Sequence, residues 1–149
     1  MKKIIVTIIT VFLFAFTHAA DKVEKQVEHS FQSEFPGATH ASWLKIDNSD
    51  LYAVRFVYNN EARMAYYDTD GSRLAIVKSI QEDQLPLQVR KAMNSIVSNE
   101  DMPTIVEINM LGETSYLFQF QDEGSIKSYH VIKNGSSKEI KLKEILIQK

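Results

Sequence analysis

Cysteine is absent from the 149 residues, and tryptophan occurs once, proline three times and glycine five times. With no thiol there is no disulfide framework, no thiolate metal site and no cysteine nucleophile. No membrane-length apolar run is present either, because the longest, Ile4 to Phe16, falls well short of the roughly 20 residues needed to cross a bilayer. Basic charge is not in excess: 17 Lys and Arg stand against 19 Asp and Glu, which excludes the basic stripe that nucleic-acid binding requires. Catalytic signatures are missing too. There is no G-x-S-x-G elbow, no H-E-x-x-H, no pair of neighbouring histidines and no glycine-rich phosphate loop.

What is present begins with an export signal. Lys2 and Lys3 precede the Ile4 to Phe16 run, and Thr17-His18-Ala19 supplies small residues where signal peptidase reads them. This predicts a signal peptide over residues 1–19, with cleavage after Ala19 or, second, after Ala20, and a periplasmic or secreted protein with no membrane attachment after cleavage. No cysteine follows the run, so a lipoprotein anchor is excluded. Residues 20–149 make one ordinary domain of about 130 residues with a formal charge of −4, since two of the 17 basic side chains leave with the signal. A chain of that size hides roughly two-thirds of its unfolded surface, so an exported domain can do without disulfides. Lys138, Lys141 and Lys143 read as the wet face of a terminal strand.

Two stretches repeat at a fixed offset. Tyr52-x-Val54-x-Phe56 with Gly71 and Tyr116-x-Phe118-x-Phe120 with Gly135 are both separated by 64 positions. An alternating aromatic strand and its turn glycine sharing one offset indicate a supersecondary unit used twice. The first unit, residues 20–80, opens with Val23, Val27, Phe31 and Phe35 at every fourth position, an amphipathic helix started by an Asp21/Glu24 capping box and ended by Pro36-Gly37. Strands are predicted at 40–46, 51–58, 62–68 and 72–78, joined by turn-forming Asp47-Asn48-Ser49-Asp50, Asn59-Asn60-Glu61 and Thr69-Asp70-Gly71. The second unit, 81–149, repeats the order after the polar linker Gln81 to Gln84. Its helix begins at Leu85-Pro86 and carries Leu85, Val89, Met93 and Ile96. Its strands are predicted at 104–110, 114–121, 125–133 and 137–147. The fold class is therefore α+β: one twisted antiparallel sheet of about eight strands with two helices on one face.

Phe35-Pro36-Gly37-Ala38 followed by Trp43, then Tyr52-x-Val54-x-Phe56, Ala65-Tyr66-Tyr67-Asp68-x-Asp70-Gly71 and Leu85-Pro86 with Val89, resemble the PepSY-like, or β-lactamase-inhibitor-like, periplasmic proteins of Bacteroidetes-type bacteria. The resemblance covers most of residues 20–149. It implies a tandem α/β repeat of β-lactamase-inhibitor-protein-like fold, export to the periplasm, no enzymatic activity and no cofactor. It supplies no catalytic or ligand residues, and implies as partner a peptidase or another periplasmic protein. The second half departs from the pattern: Asn134-Gly135 replaces the acidic turn, and Glu107 stands at the position the 64-residue offset matches to Trp43.

Few residues suggest chemistry. His29, His40 and His130 are scattered, and three such histidines are more often ordinary surface or strand residues than a metal or catalytic site. Asp68-x-Asp70-Gly71 resembles the start of a calcium loop but lacks its later ligands, which favours a hairpin turn. Trp43, Tyr66 and Tyr67 invite a binding reading, since aromatic side chains dominate interface hot spots, against core packing as the plainer one. Alternation places Arg55, Val57, Met64, Tyr66, Gln119, Ser128 and His130 on the sheet face away from the helices. With Trp43, six of these (Arg55, Met64, Tyr66, Gln119, Ser128 and His130) are the candidate partner-binding residues of a non-enzymatic binding or inhibitor-like protein. The alternative is a periplasmic carrier of a small molecule or ion, using a pocket between sheet and helices.

Overall fold

The computed structural model describes residues 22–47, 49–97, 102–122 and 125–140. The expected signal peptide and the last seven residues of the eighth expected strand lie outside them. The elements are α1 (Lys25–Glu34), β1 (Thr39–Ile46), β2 (Leu51–Tyr58), β3 (Glu61–Asp68), β4 (Arg73–Ile80), a 3-10 turn (Glu82–Gln84), α2 (Leu87–Ile96), β5 (Thr104–Met110), β6 (Glu113–Asp122), β7 (Ser125–Ile132) and β8 (Ser137–Ile140). The strands lie in sequence order, β1 to β8, in one open antiparallel sheet, so the protein is α+β. The chain divides into two compact units between Lys78 and Ser79.

In the first half, the four-residue apolar spacing of α1 turns Val27 and Phe31 onto the sheet, with Val23 and Phe35 at its ends. They pack on Tyr52, Val54 and Phe56 of β2 and Ala65 and Tyr67 of β3. Phe31 is the hub of an aromatic cluster, its ring centroid 4.9 Å from Phe56, 5.4 Å from Trp43, 5.7 Å from Phe35 and 6.5 Å from Tyr67. The expected capping box is not what starts the helix. Helical residues begin at Lys25, Glu24 is the N-cap without a side-chain cap bond, and Asp21 is outside the described residues. A Glu at the N-cap stands three positions before the third helical residue, the place from which a capping-box Glu reaches back. β1, at the sheet edge, has a bulge between Thr39 and Ser42 where His40 takes φ 55°, and such a kink discourages edge-to-edge pairing.

In the second half, the reciprocal cap falls in the linker, where Gln81 and Gln84 bond each other's ends of the 3-10 turn. Arg90 Nη2 donates to the Asp83 and Leu85 carbonyls at 2.9 and 3.4 Å, tying this turn to α2. Val89 and Met93 of α2 pack with Leu85 on Ile105, Tyr116, Phe118, Phe120 and Val131.

The duplicated turns match atom for atom. Asp70 Oδ1 accepts from Ser72 N at 2.7 Å and Asn134 Oδ1 accepts from Ser136 N at 2.9 Å, so Asn serves where the first half has Asp. Asp68 Oδ1 accepts from Thr69 N, so both carboxylates of the faint calcium motif are engaged by the turn's own donors. Gly71 (φ +86°) and Gly135 (φ +91°) lie against the helices: a Cβ on Gly71 would sit 2.7 Å from Ser30 Oγ and 3.0 Å from Gln26 O, and one on Gly135 2.9 Å from Gln88 O.

One equivalence is corrected by register. Trp43 pairs with Val54, and Phe118, the counterpart of Val54, pairs with Ile105; the position matching Trp43 is Ile105, not Glu107. The cause is hairpin length. β1 and β2 turn through residues 47–50, whereas β5 and β6 run two residues further in each strand and turn at Leu111-Gly112, both at positive φ.

Candidate functional site

The structure separates Trp43 from the other candidates. Trp43 is half-buried on the helix side of β1, edge-on to Phe31 and 6.2 Å from Tyr67, and belongs to the first core. The other six lie on the sheet face turned away from the helix of their own half. There, Arg55 pairs with Met64 and Ala53 with Tyr66 in the first half, as Gln119 pairs with Ser128 and Leu117 with His130 in the second.

Arg55 is exposed and His130 half-buried, but Met64, Tyr66, Gln119 and Ser128 are buried. Ala53, Met64, Tyr66, Ala75 and Val77 in the first half, and Val106, Ile108 and Leu117 in the second, make this side apolar as well, the pattern of strands buried on both faces. None of them belongs to the helix-bound clusters.

The halves differ in what stands at the centre. Tyr66 is wholly buried in the first half and its hydroxyl donates to Met64 Sδ at 3.0 Å. The matching positions of the second half are polar: Gln119 Nε2 donates to Ser128 Oγ at 3.4 Å, and His130 Nε2 is buried with no hydrogen-bond partner. Burial holds the His130 imidazole below its ordinary pKa, favouring the neutral ring. The same alternation along β7 aligns Ile126 and Ile132 with Ser128 and His130, and β8 adds Lys138 opposite His130 and Ile140 opposite Ser128. Sequence reading left these four out, although the period-two pattern of β7 that picks out His130 also contains both isoleucines.

Tyr66 and Tyr67 carry a pH prediction. Burial raises the phenol pKa of both above the ordinary value near 10, and at Tyr67 the neighbouring Glu34 carboxylate adds to it. A raised folded pKa means stability that is intact below about pH 10 and lost above it, by up to about 1.4 kcal/mol per pH unit for each tyrosine. Urea melts between about pH 8 and about pH 11.5 should show this fall, and Tyr66→Phe should flatten it. An identical slope in Tyr66→Phe would remove Tyr66 from the account.

Two grooves lie elsewhere. One of about 800 Å³ in the second half is lined by Gln81, Glu82, Asp83, Arg90, Met102 and Thr104, among others, and a smaller one in the first half lies at the β1–β2 turn. The described interiors between helix and strands are filled by the two side-chain clusters. Among the described residues no three His, Asp or Glu side chains gather in a metal-holding group.

No family model matches the chain, and no curated protein does. Solved structures do match. A DUF2874 family protein from Bacteroides ovatus superposes with a TM-score of 0.69 at 14% identity, over 80% of this chain and 89% of its own. For a candidate periplasmic protein from Bacteroides eggerthii the values are 0.71, 14%, 83% and 88%. A BLIP-like (β-lactamase-inhibitor-protein-like) protein from Bacteroides fragilis gives 0.67, 16%, 81% and 89%. The likeness is one of fold. It matches the β-lactamase-inhibitor-like half of the sequence resemblance, while the PepSY-like half rests on the motifs alone. Among the described residues no helix is long and apolar enough to cross a membrane.

Proposed function

We propose that this chain is an exported, non-enzymatic binding protein that engages a protein partner through the sheet face turned away from its helices. One observation carries the reading: around a buried centre, the margins of that face keep apolar side chains partly open to solvent, Val57 in the first half and Ile126 and Ile132 in the second. The face offers accessible groups at its margins, Arg55 and Val57 in the first half and Ile126, His130 and Ile132 in the second. Similarity of fold to the BLIP-like and candidate periplasmic proteins supports an exported role outside enzyme chemistry. The partner is a peptidase or another periplasmic protein, as the sequence resemblance implies. A carrier of small molecules or ions would need room between helix and sheet, where Phe31, Phe56 and Tyr67 in one half and Met93, Phe118 and Phe120 in the other take up the space.

The test is retention of periplasmic proteins on the immobilised chain. Wild type and Leu87→Asp, a control at an exposed position of α2, should retain the same protein. Val57→Asp and Ile132→Asp should weaken retention about tenfold or more, the scale of a lost hot spot. Retention of nothing, or equal retention by the face variants, sinks the reading.

A further inference from the structure

The geometry points to the β7–β8 part of this face as the receptor for a protein segment that presents a carboxylate between aliphatic side chains. This rests on the reading above that the face engages a protein partner, and names the partner's chemistry. Ile126 and Ile132, 48% and 43% exposed, are two of the five large apolar side chains left open to solvent among the described residues, and both project from one face of one strand. Six residues of strand separate them by about 20 Å. Between them lies His130, with Lys138 directly across the β7–β8 pair and Ile140 across from Ser128. Directly opposed residues in an antiparallel pair have Cβ atoms about 5 Å apart, so a carboxylate held by the exposed Lys138 ammonium stands beside the half-buried imidazole.

Among the described residues the charges facing this spot have one sign. From β8 the facing ionisable group is Lys138; from β6 the facing residues are Ser115, Leu117 and Gln119, all uncharged; on β7 itself they are Ile126, Ser128 and Ile132. Alternation sends Lys127, Glu139 and Lys133 to the other side, and the nearest acid on this face among the described residues, Glu113, stands two residues beyond Ser115 at the far end of β6. The exposed Lys138 ammonium beside the His130 ring, with the exposed Ile126 and Ile132 on the same face, complements an Asp or Glu flanked by aliphatic residues. It does not complement a lysine-rich or uniformly polar segment.

A bound carboxylate would draw the His130 imidazole upward from its lowered pKa, so binding takes up a proton. Affinity is then greatest at low pH and is lost as pH rises through the His130 pKa of the complex, up to about tenfold for each unit of upward shift.

The experiment is selection of a phage-displayed library of random peptides against the full exported chain, followed by affinity measurement on synthetic copies of the enriched sequences. Enriched peptides should carry Asp or Glu between Leu, Ile or Val. Their affinity should fall about tenfold or more for Lys138→Glu and His130→Ala, and rise as pH is lowered from about 8 to about 5.5 in wild type but not in His130→Ala. Lys138 is exposed, so Lys138→Glu decides the matter even if His130→Ala does not fold. Peptides without an acidic residue, or unchanged affinity for Lys138→Glu, overturn this inference while leaving the broader binding reading in place. Enrichment of no peptide at all overturns both.

Discussion

Gly71→Ala and Gly135→Ala should each lower the unfolding free energy by about 2–4 kcal/mol in urea melts, whereas Gly112→Ala should cost only about 1 kcal/mol. All three glycines have φ between +85° and +91°, so the backbone penalty is shared. What separates them is the space beside the Cα. A methyl on Gly112 meets nothing within 4 Å, while one on Gly135 lands 2.9 Å from the Gln88 carbonyl oxygen, a backbone atom of α2 that cannot swing aside. At Gly71 the nearest atom is the Ser30 hydroxyl at 2.7 Å, with the Gln26 carbonyl behind it at 3.0 Å. Ser30→Ala should therefore recover part of the loss in the Gly71→Ala background, but not all. Equal costs at 71 and 112 would show that the helices can withdraw from the turns.

Phe31→Ala is expected to cost about 3–5 kcal/mol, the range for truncating a fully packed aromatic residue. Four aromatic rings lie within 6.5 Å of it, and the cluster joins α1 to three strands, so the site has little freedom to collapse. The single tryptophan makes the result readable in one half. Trp43 faces the Phe31 ring edge-on at 5.4 Å, and removing that ring admits water, so native emission should shift to the red in Phe31→Ala. Trp43→Ala should also destabilise, though less, since Trp43 is only half-buried. A Phe31→Ala variant within about 1 kcal/mol of wild type, with emission unmoved, would dissolve the hub assigned to Phe31.

The sequence made the fold legible because the repeat is written in side chains that do the same physical work twice. Tyr52 and Phe56, like Tyr116 and Phe120, sit under a helix, and Gly71 and Gly135 allow that helix to touch the turn. Where chemistry and geometry part company, sequence reading failed. Carrying the 64-residue offset back across the hairpin assigned Trp43 to Glu107; the strand pairing shows the helix-facing residue there to be Ile105. Trp43 consequently looked like a surface feature of one half, although a branched aliphatic residue fills its place in the other. The second apolar face was written in Ala53, Tyr66 and Val77, but Arg55 and Gln119 interrupt it and blur its pattern. The isoleucines around His130 were visible individually. Only the β7–β8 register brings Lys138 and Ile140 beside them.

The longer β5–β6 hairpin shows how such a repeat can drift without losing its cores. Relative to β1–β2 it adds two residues to each strand and removes two from the turn, a net change of two. Side chains alternate with period two, so a one-residue slip in pairing would send an arm to the wrong face, whereas residues added at the tip leave the pairing beneath them untouched. Ile105 and Phe118 thus keep facing α2, and Val106 and Leu117 keep facing away, whatever happens at the tip. Register at the helix-facing pairs, more than hairpin length, is what the two copies hold in common.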